Sequence, residues 1–312
     1  MNKKKFKNVL VVLGGTSGER AVSLESGKAC IKALKKKGYN VFPFDPQKKN
    51  FNLIDKNKVD VVFNALHGRD GEDGIAQSHF EYLKIPYTHS GVISSYNCMN
   101  KIYSKELFIK NKINTPKYTT INKFNFKKNL IFRDIKYKKI RFPIVLKPVN
   151  EGSSLGVQIF KNKKNLKKQI KALLKKYHNL LLEEYIGGQE IQVAVLNSKP
   201  LGAIELIPKR FFYDYKAKYT KKAKTRHIMP ARLNKIKYQE VLKIAKKVHQ
   251  TLKCRGVTRS DFKFFNNSFY LLEINTQPGM TSLSLVPEIA EHKGLNFETL
   301  VEKILLDASI NR

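Results

Sequence analysis

Acidic residues are scarce in this chain, so their clustering is informative. The sequence carries 25 Asp+Glu against 60 Lys+Arg in 312 residues, a formal net charge of +35. Asp261, Glu273 and Asn275 are oxygen donors placed around one predicted hairpin, Phe262–Phe265 and Phe269–Ile274, turning at Asn266-Asn267. Asp261 opens the first strand. Glu273 and Asn275 end the second, and residues two apart on a strand face the same side. Two carboxylates and an amide on one sheet face suit a hard cation shared with phosphate oxygens, Mg²⁺ or Mn²⁺. Spacing alone leaves a sheet-edge Asp and a Glu paired with lysine equally open. Arg259, two residues before Asp261, could neutralise a developing oxyanion or phosphate, or form a salt bridge to that Asp.

Glycine-rich turns supply the second kind of signal. Glu151-Gly152-Ser153-Ser154-Leu155-Gly156 lies between two strand-like runs just after Lys147. Such a hairpin tip can lay backbone N–H groups over phosphates, with Lys147 as a point charge, or it can be only a turn. Neither this segment nor Gly14-Gly15-Thr16-Ser17-Gly18 has the spacing of a Walker A loop or of G-x-G-x-x-G. Glu183-Glu184-Tyr185-Ile186-Gly187-Gly188-Gln189-Glu190 reads as a strand end and a linker whose backbone could pair with a flat base, or as a solvated acidic strand end. His67, after a predicted parallel strand, sits where open α/β sheets bind ligands. Glu19 and Arg20, after the first glycine turn, could hold an amine and set a loop, or be solvated turn charges.

The elements that must position these groups begin with Val9–Leu13, a short apolar run of the kind a doubly covered parallel strand shows. A helix with Ser23 as N-cap follows, then strands at Val41–Phe44 and Val59–Leu66. Together they make a small open α/β domain with its ligand edge at the strand C-termini. From about Lys101 the character changes. Residues 117–141 predict short strands and an exposed connection. A hairpin spans Pro143–Pro148 and Val157–Phe160, with a helix over Lys161–Tyr177. Strands are expected at Leu180–Ile186, Glu190–Leu196 and Ala203–Ile207, a long functional loop over 209–232, and a helix at Tyr238–Leu252. Helices near 285–292 and 297–307 close the chain.

Composition narrows the classes. Hydrophobic residues make up 42% of the chain, too many for a disordered basic tail. The charge first suggests nucleic acid or an anionic membrane surface, yet no helix-turn-helix, RNP or zinc module is present. The excess is mostly Lys, which lacks the planar fork of Arg. Cys30, Cys98 and Cys254 are far apart with no metal spacing, implying a reducing compartment and incidental thiols. The N-terminal lysines and Val9–Leu13 mimic a signal peptide, but the apolar run is short and ends in Gly14-Gly15. No stretch approaches a membrane helix. The cytoplasm is the expected location.

In order along nearly the whole chain, five segments resemble the D-alanine–D-alanine ligase family of the ATP-grasp superfamily. They are Leu13–Leu24, His67–Gly74, Lys147–Ser154, Phe212–Tyr219 and Leu272–Ser282. No single piece decides; the ordered set does. The resemblance implies an N-terminal open parallel α/β (pre-ATP-grasp) domain over 1–100. A two-subdomain ATP-grasp fold would follow, 101–185 and 186–312. It implies that ATP phosphorylates one D-alanine carboxylate and that the amine of a second D-alanine displaces the phosphate. Another ATP-grasp carboxylate–amine ligase with different amino acids is the alternative. A cytoplasmic homodimer with no nucleic-acid or membrane partner is expected.

Position by position, the resemblance implies that Lys101 and Lys147 meet the ATP phosphates and that Lys218 reaches the γ-phosphate. Glu183 would stand beside the adenine and Glu190 at the ribose. Glu184, Tyr185 and Ile186 would offer backbone, and Phe212 would also contact the nucleotide. Asp261, Glu273 and Asn275 would hold two Mg²⁺ or Mn²⁺ ions. Glu19 would hold the first D-alanine's ammonium, with His67 near its carboxylate and Val22 alongside. Arg259 and the Gly279 N–H would stabilise the oxyanion, and Ser284 and Leu285 would contact the second D-alanine. Ser153 and Tyr219 would form a pair that orients Glu19, Tyr219 being the form associated with an amine as second substrate. Leu283 departs from the His of many relatives, and Ala21 from a commonly acidic residue.

Overall fold

The structure is a computed structural model that describes residues 5–128, 130–208 and 225–312. Three sheets organise it. The first joins β1 (Asn8–Val12), β2 (Asn40–Phe44) and β3 (Val61–Asn64) in the order β2-β1-β3, all parallel. Val9 and Val11 enter one core while Leu10 and Val12 enter another, so the central strand is apolar on both faces. The helix Arg20–Lys36 covers one of them. It begins before Ser23, which is therefore not its N-cap. Instead the buried Ser23 hydroxyl accepts from the Gly14 N–H and donates to the Ala65 carbonyl, both at 2.8 Å, pinning the glycine turn to the end of β3.

The second sheet is antiparallel, in the order β4-β7-β5-β6: β4 (Tyr118–Asn122), β5 (Ile144–Pro148), β6 (Gln158–Phe160) and β7 (Asn179–Glu184). Residues 117–141 differ from expectation. After β4 they form the helices Lys123–Lys127 and Leu130–Tyr137. Ile131 and Ile135, four apart on one helical face, are buried against the sheet, and that period was masked by the surrounding Lys and Asn.

The third sheet, also antiparallel, has the order β10-β9-β8-β11-β12: β8 (Gln189–Leu196), β9 (Lys199–Ile207), β10 (Arg226–Ile228), β11 (Val257–Phe265) and β12 (Ser268–Asn275). Strand β10 falls in what the sequence suggested was loop. Helix Lys235–Thr251 packs on one face of this sheet. Helices Leu285–His292 and Phe297–Leu306 share a single core with β1, β3, β8 and β9, which ties the chain's end to its first sheet. The cysteines are all free and buried. Although 156 residues apart, Cys98 and Cys254 bring their Sγ atoms within 3.8 Å, a proximity that sequence separation concealed. Among the described residues no helix is long and apolar enough to cross a membrane.

Candidate active site

The hairpin of β11 and β12 does what its spacing suggested. Asp261 lies directly opposite Glu273, and Arg259 opposite Asn275, so all four share one sheet face. Arg259 grips Asp261 with a two-pronged fork, Nε to Oδ1 at 2.7 Å and Nη2 to Oδ2 at 2.9 Å. The Asn275 carboxamide oxygen accepts the Gln277 N–H at 2.8 Å, which fixes its side chain where β12 ends. No three His, Cys, Asp or Glu residues cluster as a metal site among the described residues. The candidate donor set is two carboxylates and an amide, all oxygen.

Two adjoining clefts, about 870 and 770 Å³, open on this face. Lys101, Glu151 and Glu273 line both, so they stand at the junction. The Lys101 ammonium donates to the Glu151 carbonyl at 2.6 Å and lies 3.5 Å from Glu273. Burial pushes that ammonium below its ordinary value, against the pull of Glu273.

The second cleft holds a buried charge cluster. Glu183, 3% exposed, receives Lys105 at 2.8 Å and Lys147 at 2.5 Å. Burial alone would raise the Glu183 carboxyl, but the two ammonium groups hold it below the usual carboxylate value. Burial likewise lowers the Lys105 ammonium to about 8, despite Glu183. Lys105 was not singled out from the sequence. Its signal was available: Lys101 and Lys105 are four apart, on one face of the helix Lys101–Lys110. At the cleft's rim Glu190 meets Lys263 at 3.1 Å. The Glu184 and Tyr185 N–H groups are committed to Lys117 and Pro143, whereas the Ile186 N–H has no partner among the described residues.

The first cleft is built differently. Glu19 is buried at the start of helix Arg20–Lys36, and its carboxylate accepts the Ser153 hydroxyl. Ser153 and Ser154 both adopt positive φ, a conformation costly for side-chain-bearing residues, so the hairpin tip is held in an unusual shape. Gly152 and Gly68 each pass so close to Glu19 that an added Cβ would fall 2.7 Å from its Oε2. His67 is buried, with Nδ1 3.1 Å from Glu72 and Nε2 3.0 Å from the Ser26 hydroxyl, so both ring nitrogens are occupied. The Ser26 oxygen also accepts the Met280 N–H, linking His67 to the Gly279 loop. Gly279, Ser284, Leu285 and Leu283 complete this wall. An added Cβ on Gly279 would sit 2.8 Å from the Ser284 hydroxyl oxygen, which accepts from the Thr281 N–H. Val22 lines neither cleft but stands behind Gly279. Gln192, missed in the sequence, is 1% exposed and lines the first cleft. Phe212, Lys218 and Tyr219 lie outside the described residues.

Two antiparallel sheets flanking a nucleotide-sized cleft, behind an open parallel α/β sheet, define the ATP-grasp class of fold. Family models for the D-ala D-ala ligase N-terminus and C-terminus match residues 45–90 and 107–306. The chain belongs to the D-alanine–D-alanine ligase family. It is 56% identical over 307 residues to the D-alanine–D-alanine ligase of Pelagibacter ubique, covering 98% of this chain and 99% of that protein. To the ligase of Wolbachia pipientis wMel it is 44% identical, covering 96% and 94%. Among solved structures, the D-alanine–D-alanine ligase of Bacillus anthracis superposes with a TM-score of 0.84 at 33% identity, covering 96% and 97%. The VanG D-Ala:D-Ser ligase of Enterococcus faecalis gives 0.84 at 27% identity, covering 96% and 98%.

Proposed function

We propose that the chain ligates two D-alanines to D-alanyl-D-alanine at the expense of ATP, for peptidoglycan precursor synthesis. One observation carries the reading: two clefts meet at Lys101 and Glu273, so a phosphate from one side and a carboxylate from the other would converge there. A carboxylate is a poor electrophile. Its oxygen attacks the γ-phosphorus of ATP, the bond to the ADP oxygen breaks, and an acyl phosphate results. The amine of the second D-alanine then attacks the acyl carbon, the carbon–oxygen bond breaks, and the departing phosphate takes up the proton that the amine sheds. Both steps gather negative charge on oxygens, which favours cations and N–H donors fixed in place beforehand.

In this reading Lys101 and Lys147 hold phosphates, with Lys218 joining them. Glu183, kept ionised by its lysines, stands on the adenine side; the Ile186 N–H meets the base, Phe212 packs nearby, and Glu190 takes the ribose. Asp261, Glu273 and Asn275 fit two Mg²⁺ or Mn²⁺ ions, being hard oxygen donors aligned on one face; bound there, the cations would offset phosphate charge. Glu19 receives the first ammonium, with Ser153 and Tyr219 orienting it. His67 is held by Glu72 and Ser26 beside the first carboxylate, with Val22 behind. Arg259 and the Gly279 N–H face the oxyanion, and Ser284 and Leu285 contact the second D-alanine. We further propose division at 100/101 and 185/186, a homodimer, and a cytoplasmic location without nucleic-acid or membrane partners. Phosphate release measured across D- and L-amino acids tests the reading. D-alanine-dependent turnover is expected, and its absence would overturn the assignment.

A further inference from the structure

Gln192 is a polar side chain in a place that charges it for staying there. It lies on β8 directly opposite Asp261 of β11, with Ile204 of β9 on its other side, in the row that continues to Glu273. The side chain is 1% exposed and lines the first cleft, yet its carboxamide oxygen has no hydrogen-bond partner among the described residues. An unsatisfied buried acceptor costs about 1–3 kcal/mol, a cost removed when a donor arrives. Arg259 does not supply it: its Nε and Nη2 donate to Asp261.

A ligand entering this cleft can bring the missing donor. The donors of ATP are its adenine amine and ribose hydroxyls, which belong to the other cleft with Glu183 and Glu190. The first D-alanine's ammonium is matched by the Glu19 carboxylate. The remaining donor is the amine of the second D-alanine. We propose that Gln192 is a substrate-positioning residue whose carboxamide oxygen accepts a hydrogen bond from that attacking amine. An amide oxygen is too weak a base to take the proton. Its effect is to hold the nitrogen near the acyl carbon, an orientation effect. This rests on the ligase reading above.

The test uses the full chain with D-alanine, ATP and Mn²⁺, comparing wild type with Q192M, which keeps the length without the acceptor, and Q192E, which keeps an acceptor. In Q192M the half-saturation for the second D-alanine should rise about tenfold or more, the loss of one well-placed hydrogen bond. The KM for ATP and Mn²⁺ binding followed by electron paramagnetic resonance should stay within about twofold of wild type, because neither ligand contacts the lost oxygen. Q192E should recover part of the D-alanine effect. An unchanged second D-alanine constant in Q192M overturns the proposal, as does a parallel rise in every constant, which would mean packing. Weakened Mn²⁺ binding with normal D-alanine kinetics also overturns it, assigning the oxygen to a cation-bound water. Should Q192M fail to fold, Q192N, with the amide withdrawn by one methylene, must show the same selective rise or the proposal fails. Absence of D-alanine turnover in wild type would instead remove the ligase reading itself.

Discussion

The two halves of the cleft solve opposite problems by different means. The half that holds Lys147 and Glu183 buries formal charges and balances them against one another: one carboxylate and two ammonium groups, each less than a tenth exposed. The half that holds Glu19 and His67 uses close backbone approach and hydrogen bonds from hydroxyl and imidazole groups rather than lysines: Gly68 and Gly152 on Glu19, Gly279 on Ser284, Ser26 and Glu72 on His67. In the proposed reading a polyanionic nucleotide would be met by fixed positive charge. In the same reading a small zwitterion would be met by shape, with one carboxylate for its ammonium. Charge tolerates displacement of some tenths of an ångström, since Coulomb energy falls slowly with distance. Steric fit does not, so the two halves should respond differently to substitution.

The junction should be the most sensitive point, because both halves depend on it. Glu273→Gln keeps volume and removes one negative charge from the face shared with Asp261. Turnover should fall by at least about 10³-fold, since a bound cation contributes several kcal/mol of charge stabilisation. The melting temperature should stay near that of wild type, because Glu273 is only partly buried. ADP release and thermal melting measured together check this, and retained activity would remove Glu273 from the metal assignment.

Next comes the sterically built half. Gly152→Ala places a Cβ against the Glu19 carboxylate, which must move. A displacement of about 1 Å can cost roughly 10²-fold, so kcat/KM for D-alanine should drop by about that factor while the KM for ATP hardly changes. Equal losses for both substrates would show that the halves are not separable in this way.

The charge cluster gives a pH signature that the glycine-lined half lacks. The Lys105 ammonium titrates near 8 in the folded chain against an ordinary 10.5. Between those values the unfolded chain keeps a proton that the folded chain has lost, so stability rises with pH there; below about 8 the cost of the buried charge is fully present. The slope is bounded at about 1.4 kcal/mol per pH unit. Glu183 runs the other way in acid: its depressed carboxyl adds stability above its ordinary 4.5 that is lost as pH falls through the folded value. Urea unfolding at pH 8, 9 and 10 should show a rise that Lys105→Met flattens. That variant should also lose about 1–3 kcal/mol from the missing bonds to Glu183 and Thr115, while Lys147 still balances the carboxylate. A wild-type slope indistinguishable from the variant's would show that Lys105 titrates normally.

Legibility in the sequence followed the same division. The residues on the shared face of β11 and β12 could be placed because strand alternation has a period of two, which puts Arg259 with Asp261 and Glu273 with Asn275 regardless of distant packing. Glu19, Lys147 and Ser153 were found through glycine-rich turns, whose backbone demands are local. Lys105 and Gln192 were not, since their meaning comes from what other elements bury them. A lysine is surface until Glu183 closes over it, and a glutamine in a strand is ordinary until its neighbours leave its oxygen without a partner. Cys98 and Cys254 show the same limit. The helices after β4 were hidden because lysine-rich composition outweighed a two-isoleucine period. Ser23 read as a cap because of its type, whereas the turn before it recruits its hydroxyl from inside the helix.

Leu283 offers the mildest probe of the shape-built half. It lines the first cleft beside Ser284, but 38% of its surface stays in solvent. Its backbone N–H is held by the Thr281 hydroxyl at 3.3 Å, and the side chain carries none of the loop's hydrogen bonds. Leu283→Ala therefore removes apolar surface without disturbing Gly279 or Ser284. Burying that remaining surface against a ligand is worth about 1 kcal/mol or less at roughly 25 cal/mol per Å². The half-saturation for the second D-alanine should rise by no more than about fivefold, with kcat and the KM for ATP unchanged. A rise beyond tenfold would mean that the leucine closes over the bound amino acid, and that this half is held together by apolar contact as well as by glycine-permitted approach.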